Sequence, residues 1–150
     1  MSIQNPTQLP AAYANAVYTK NIEAFLALYA DKIHIFDAWE NWQAEGKDAL
    51  RTSTTEWFNS LGNEKVVITC HDIQTSSSDT LATLHALIQY KAVSADGQDL
   101  RAMQERITWV MEHTPAGWTV THQHTSLPAS FQTGKVMKAT PDSASRQSAS

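Results

Sequence analysis

Four groups of side chains in this sequence have the types and spacing that chemistry needs. The first is the run Trp118-Thr-Val-Thr-His122-Gln-His124-Thr-Ser126. In an extended strand alternate residues share a face, so Trp118, Val120, His122, His124 and Ser126 are expected to point one way. That face begins apolar and becomes a row of hydrogen-bonding groups, two of which titrate near neutral pH, as the wall of a pocket would. The second is Asp37, between Phe36 and Trp39 in an otherwise apolar run, where partial loss of hydration makes a carboxylate a stronger base. The third is Tyr13, a phenol able to donate to a developing oxyanion. The fourth is Arg106, whose planar guanidinium holds a carboxylate through two bonds.

Each has a plainer reading. Asp37 could cap a turn before Glu40-Asn41, and Tyr13 could be a core residue with one wet end, a description Tyr18 and Tyr29 also fit. Arg106 could pair with Glu105 or Glu45, since a buried arginine needs a partner. His122 and His124 could begin a metal site, but zinc takes about four ligands and no HxxxH or cysteine set accompanies them. No metal is therefore expected, and hydrogen-bonding or proton-transfer roles are preferred. Trp39 and Trp42 are expected to form the apolar wall around a flat organic ligand, with Trp57 more at home in the core. No phosphate-binding glycine loop, dinucleotide fingerprint or nucleophile elbow is present, so no cofactor is expected.

The elements that must position these residues read as follows. Thr7 to Lys20 is helical, with Leu9, Ala12, Tyr13, Ala16 and Val17 on one side. Ile22 to Ala30 gives a second helix. Lys32 to Trp39 alternates Ile33, Ile35, Asp37 and Trp39 against His34, Phe36 and Ala38, which predicts a strand. Trp42 to Glu45 is a short partner strand, and Lys47 to about Leu61 a third helix closed by Gly62-Asn63. Four β-rich runs follow, Lys65 to Thr75, Thr80 to Val93, Leu100 to His113 and Trp118 to Ser126, with Asp96-Gly97 and Pro115 to Gly117 as turns. Helices first and a meander afterwards predict an α+β fold, three N-terminal helices packed on a curved antiparallel sheet. From Gln132 onward Thr, Ser, Ala and Lys dominate without periodicity, which predicts a domain over 1–131 and a disordered tail over 132–150.

Composition excludes several classes of partner. The chain has 150 residues, 42% hydrophobic and 17% charged, with net charge -4, and its pI is 5.8. That balance argues against nucleic acid or an anionic membrane as partner. No run approaches the roughly 18 apolar residues of a membrane span, and Met1 to Pro10 lacks the regions of a signal peptide. Lone Cys70 rules out an intrachain disulfide and fits a reducing compartment, so a cytoplasmic location is expected. In the run Leu81 to Val93 both alternating sets carry apolar residues, which predicts a homodimer through the outer face of the sheet.

The order of helices and strands resembles the NTF2-like superfamily over roughly residues 7 to 128. Arg106-Ile-Thr-Trp-Val110, then Gly117-Trp118 and His122 to Pro128, is similar to the closing hairpin of SnoaL-like and ketosteroid-isomerase-like proteins. It is also similar to the association domain of calcium/calmodulin-dependent kinase II. Phe25-Leu-Ala-Leu-Tyr-Ala-Asp31 through Phe36-Asp37 resembles the matching stretch of ketosteroid isomerases. That resemblance implies a cone-shaped fold, with Tyr13 on the isomerases' helical tyrosine and Asp37 on their general base. Their second oxyanion donor is a protonated aspartic acid on a later strand, and Arg106, beside Glu105, falls at or next to that place. A guanidinium there would suit a carboxylate or enolate better than a neutral dienol.

Two functions are therefore expected. One is a cofactor-free isomerase, lyase or cyclase acting on a small carbonyl or carboxylate compound. Asp37, Tyr13, His122 and His124 would then be catalytic, and Arg106, Trp39, Trp42 and Ser126 would bind the ligand. The alternative is a non-catalytic small-molecule-binding or oligomerisation module. The carboxylate of Asp37 discriminates them, by facing the cavity or by capping turn amides.

Overall fold

The structure, a computed structural model, describes residues 2–139. Asn5 forms a reciprocal cap: its side chain accepts from Thr7 N while Gln8 reaches back to the Asn5 backbone, around a 3₁₀ turn Pro6–Gln8. Helix α1 (Leu9–Tyr18) follows, with Pro10 in the first turn where its missing N–H costs nothing. It buries Leu9, Tyr13, Ala16 and Val17, positions that stack on one side at 3.6 residues per turn. Asn21 caps α2 (Ile22–Leu26) by accepting from Ala24 N. This helix is shorter than its periodicity implies, because the chain enters β1 (Tyr29–Phe36) already at Tyr29. Strand β2 is only Ala44–Glu45, and α3 (Lys47–Ser60) turns Leu50, Thr54 and Phe58 inward.

Four long strands complete the sheet: β3 (Lys65–Ser77), β4 (Leu81–Val93), β5 (Asp99–Thr114) and β6 (Gly117–Ser126). The β4–β5 turn needs a left-handed residue, and Gly97 supplies it at φ 88° while donating to Ser94 O. Strand order is β2-β1-β6-β5-β4-β3. The expectation of an antiparallel sheet needs one correction: β1 and β6 run parallel, and the other pairs are antiparallel. The chain between β1 and β6, with α3 and strands β3 to β5, allows this, since parallel neighbours require a long crossover.

The core lies between the helices and the concave face of the sheet. Leu84, Ile88, Ile107, Trp109, Met111 and Val120 are all at most 1% exposed. Each such side chain contributes roughly 1.5–3 kcal/mol by leaving water, which offsets the entropy of ordering the long strands. No helix among the described residues is long and apolar enough to cross a membrane.

Residues 132–139, read from the sequence as tail, return to the domain. Ser130 N donates to Lys135 O, Met137 N to Pro128 O and Gln104 N to Lys138 O. The last of these takes up a strand-edge donor of β5 beyond the end of β6, which stops opposite Arg106. Residues 140–150 of the expected tail lie outside the described residues.

Candidate functional site

A cavity of about 520 Å³ opens between the helices and the concave face of the sheet. Phe25, Leu50, Trp57, Val66 and Met103 supply much of its apolar wall, and Asp37, Glu105, Tyr13, Gln123 and Thr125 its polar groups. Ile35, Asp37 and Trp39 line it together, in the alternation their sequence implies.

Asp37 stands at the mouth, exposed rather than desolvated. Its Oδ1 accepts from Thr125 Oγ1 at 2.9 Å, and that hydroxyl oxygen accepts in turn from Ala38 N at 2.9 Å. The carboxylate is thus aimed by a side chain on the neighbouring strand, and no turn amide among the described residues holds it. The buried carboxyl is Glu105, only 6% exposed. Its Oε1 accepts from Trp39 Nε1 at 2.7 Å. Burial pushes its pKa up to about 7, the charge of Asp37 adds to that, and the indole N–H pulls it part of the way back. Because an indole only donates, a proton on Glu105 sits on the other oxygen, Oε2.

Tyr13, 3% exposed, packs its ring edge-on against Trp109 at 5.7 Å, and its hydroxyl lies 3.1 Å from that of Tyr90. Burial raises both phenols well above their ordinary range, so each keeps its proton and remains a donor at neutral pH. At the floor, Gln123 Oε1 accepts from Tyr29 Oη at 2.5 Å and Trp109 Nε1 at 3.0 Å. At the rim, Arg101 makes a two-pronged pair with Glu64 at 3.1 and 2.8 Å.

The structure separates the expected site residues into two sets. Tyr13, Asp37 and Trp39 come together in the cavity; His122, His124, Ser126 and Arg106 do not. The cause is a β-bulge. Met111 pairs with Val120 but Val110 pairs with His122, so Thr121 is an extra residue that reverses the alternation of β6. Trp118 and Val120 point into the core as expected, but beyond the bulge Gln123 and Thr125 take the inner face. His122, His124 and Ser126 lie on the outer face instead, where Arg106 Nε donates to Ser126 Oγ at 3.0 Å. His122 Nδ1 lies 2.8 Å from His34 O. Trp42 is 96% exposed on the β1–β2 loop and forms no part of the cavity wall, whereas Trp57, assigned to the core, does.

Glu105 and Gln123 are among the lining residues that escaped the sequence reading. Glu105 had a signal: it leads the alternating set Glu105, Ile107, Trp109, Met111, whose three large apolar members mark the buried face. Gln123 had none, because a bulge without glycine or proline leaves no mark on the pattern. With Arg106 outside the cavity, the lining cation Arg101 is held by Glu64, and a bound carboxylate would meet Asp37 and Glu105. Among the described residues no three His, Cys, Asp or Glu side chains gather as a metal site.

The model of the SnoaL-like domain family matches residues 7–130. Among solved structures, the chain is similar to an NTF2-like protein of unknown function from Pseudomonas putida KT2440. The two share 24% identity over 91% of this chain and 93% of that one, with a TM-score of 0.78. Aln2 from a Streptomyces species is 10% identical over 83% of this chain and 93% of its own, with a TM-score of 0.70. A Xanthomonas campestris protein named for the calcium/calmodulin-dependent protein kinase II association domain is 18% identical over 80% and 83%, with a TM-score of 0.65. At these identities the likeness establishes the fold. No curated protein matches the chain.

Proposed function

The chain belongs to the SnoaL-like domain family, and on that premise we propose that it is a cofactor-free enzyme of the isomerase, lyase or cyclase kind. Its substrate is a small, neutral carbonyl compound. One observation carries this reading: two carboxyl groups share one cavity in unlike surroundings, Asp37 exposed at the mouth and Glu105 buried with its pKa near 7. Such a pair divides the roles of base and acid.

Asp37 removes a proton from the carbon beside the carbonyl. Negative charge then develops on the carbonyl oxygen, where Glu105 in its protonated form and the Tyr13 hydroxyl donate hydrogen bonds. Trp39 keeps Glu105 Oε1 occupied, so the proton faces away from the indole. The enolate then takes the proton back at a second carbon, attacks another carbonyl, or expels a leaving group. These outcomes correspond to isomerase, cyclase and lyase, and the shape of the substrate selects among them.

The binding-module reading needs Asp37 to serve a turn, and its bond to Thr125 across two strands argues against that. The assembly part of that reading stands beside the enzyme. We assign the outer face, where Leu87 and Val110 are half-buried and Phe36 is exposed, to pairing with a second copy of the chain. The likeness to the association-domain structure supports this. Cys70 remains a free thiol raised by burial, as suits the cytoplasmic location we propose.

The reaction is tested with 2-tetralone, whose protons beside the carbonyl are acidic. In D₂O the protein is expected to accelerate their exchange, followed by proton NMR, with saturation in ketone. Saturable binding without accelerated exchange gives the binding module instead.

A further inference from the structure

The floor of the cavity holds a donor that the proton transfer above does not use. Gln123 is 9% exposed. Its Oε1 takes two hydrogen bonds, from the hydroxyl of Tyr29 and the indole N–H of Trp109, residues that are 1% and 0% exposed. An indole N–H has no acceptor role, so the atom facing it is the amide oxygen, and the orientation of the amide follows from its neighbours. The Nε2 amino group is thereby directed away from both. It has no hydrogen-bond partner among the described residues. Nor does any buried side-chain nitrogen or oxygen among those residues lie sealed without a partner. Since Gln123 lines the cavity, its two free N–H bonds open onto the space a ligand would fill.

We propose that Gln123 reads the far end of the substrate. Its Nε2 donates to a second acceptor oxygen, carbonyl or hydroxyl, of a ligand whose reacting carbonyl lies between Asp37 and Glu105. This rests on the reading of the cavity as a carbonyl site and adds a second polar end to the substrate. The length follows from the sheet. Gln123 sits opposite Trp109 on β5, and Glu105 is further along the same strand, about 14 Å away at roughly 3.4 Å per residue. Subtracting two hydrogen bonds of about 2.9 Å leaves about 8 Å between the two ligand oxygens, the span of a flat two-ring skeleton. A ligand with an apolar far end strips water from the amide and returns nothing, so the site discriminates against it.

The test compares decalin-2,6-dione, which has carbonyls at both ends, with 2-decalone, which lacks the second. In ¹⁵N-labelled protein the side-chain amide signals of Gln123 are identified by their loss in Gln123→Glu. That variant keeps an oxygen for Tyr29 and Trp109 and serves for the assignment alone, since a buried carboxyl can hold a proton and donate it. The dione is expected to shift those signals and the decalone to leave them unmoved, with the dione bound at least about 10-fold more tightly. In Gln123→Met, which keeps the length and removes both N–H bonds, the preference should fall below about 3-fold. Equal affinities in the unmodified protein, a comparison that needs no variant, overturn the proposal, as does dione binding with the Gln123 signals unmoved. Proton exchange read on the same samples separates the two readings. Exchange of bound dione without a Gln123 shift overturns the role of Gln123 alone. A Gln123 shift without exchange overturns the enzyme reading and leaves Gln123 as a binding residue.

Discussion

The two faces of the β5–β6 ladder are made from alternate residues of the same strands, and they differ in kind. The outer face has the richer set of polar groups: Arg106 bonded to Ser126 at 3.0 Å, and His122 and His124 grouped around the Phe36 ring at 5.0 and 5.4 Å. The inner face offers Glu105, Gln123 and Thr125 among Ile107, Trp109 and Met111. Yet the inner face holds the cavity, and there one carboxyl is moved from its ordinary 4.5 to about 7. Enclosure makes the difference. A charge facing water is screened within about 10 Å, whereas a group cut off from water feels each neighbour at close to full strength. A count of titratable side chains is therefore a poor guide to where chemistry occurs.

The largest expected contrast between the faces is kinetic. Asp37→Asn should lower ketone exchange by about 10²–10⁴-fold, the range for a lost general base. His124→Ala and Arg106→Met should stay within about 2-fold by the same NMR measurement. A loss in Arg106→Met as large as that in Asp37→Asn would reverse the comparison.

Next comes a contrast in stability. Gln123→Leu leaves the Tyr29 hydroxyl and the Trp109 N–H buried without an acceptor, and should cost about 3 kcal/mol in urea unfolding. Ser126→Ala removes one hydrogen bond that water can replace, and should cost less than about 0.5 kcal/mol. Similar costs for both would mean that the inner amide is as well hydrated as the outer hydroxyl.

The pH dependence sharpens the same point. The folded chain holds the Glu105 proton up to about 7, while the unfolded chain releases it near 4.5. Between these values the native state binds more protons, so stability falls as pH rises. The contribution is fully present below about 4.5 and lost through about 7, and is on the order of 3 kcal/mol. Glu105→Gln should remove this slope and so gain on the parent between pH 5 and pH 8 in urea unfolding. Parallel curves for the two proteins would show that Glu105 is hydrated in the fold. With Glu105 as donor, ketone exchange should also decline as pH rises through about 7.

The smallest effect on chemistry is expected from breaking the outer face. Leu87→Asp should convert a dimer into a monomer of 16.6 kDa by light scattering, with exchange within about 1.5-fold because the cavity is complete in one chain. A monomeric parent would remove the outer face from assembly.

Much of this molecule was legible before its structure. Helix α3 runs as its periodicity implies, the Asp96-Gly97 turn is where the residues place it, and Ile35, Asp37 and Trp39 share the face their alternation assigns. Helix α2 was less legible, since Phe25 and Tyr29 fit either a helical stripe or the entry into a strand. The candidate site was half legible. Tyr13, Asp37 and Trp39 were in view, Glu105 was passed over for its neighbour Arg106, and Gln123 was placed on the wrong face.

Alternation is a local property, so the sequence alone determined the elements, their order and which residues within an uninterrupted strand lie together. It is also symmetric, because a period of two says that residues share a face and not which face is enclosed. That choice belongs to the helices packed across the sheet, and only the tertiary structure made it. The bulge at Thr121 completed the division. One extra residue exchanged the roles of every side chain from His122 to Ser126, so that Gln123 and Thr125 are buried and hydrogen-bonded on the cavity side.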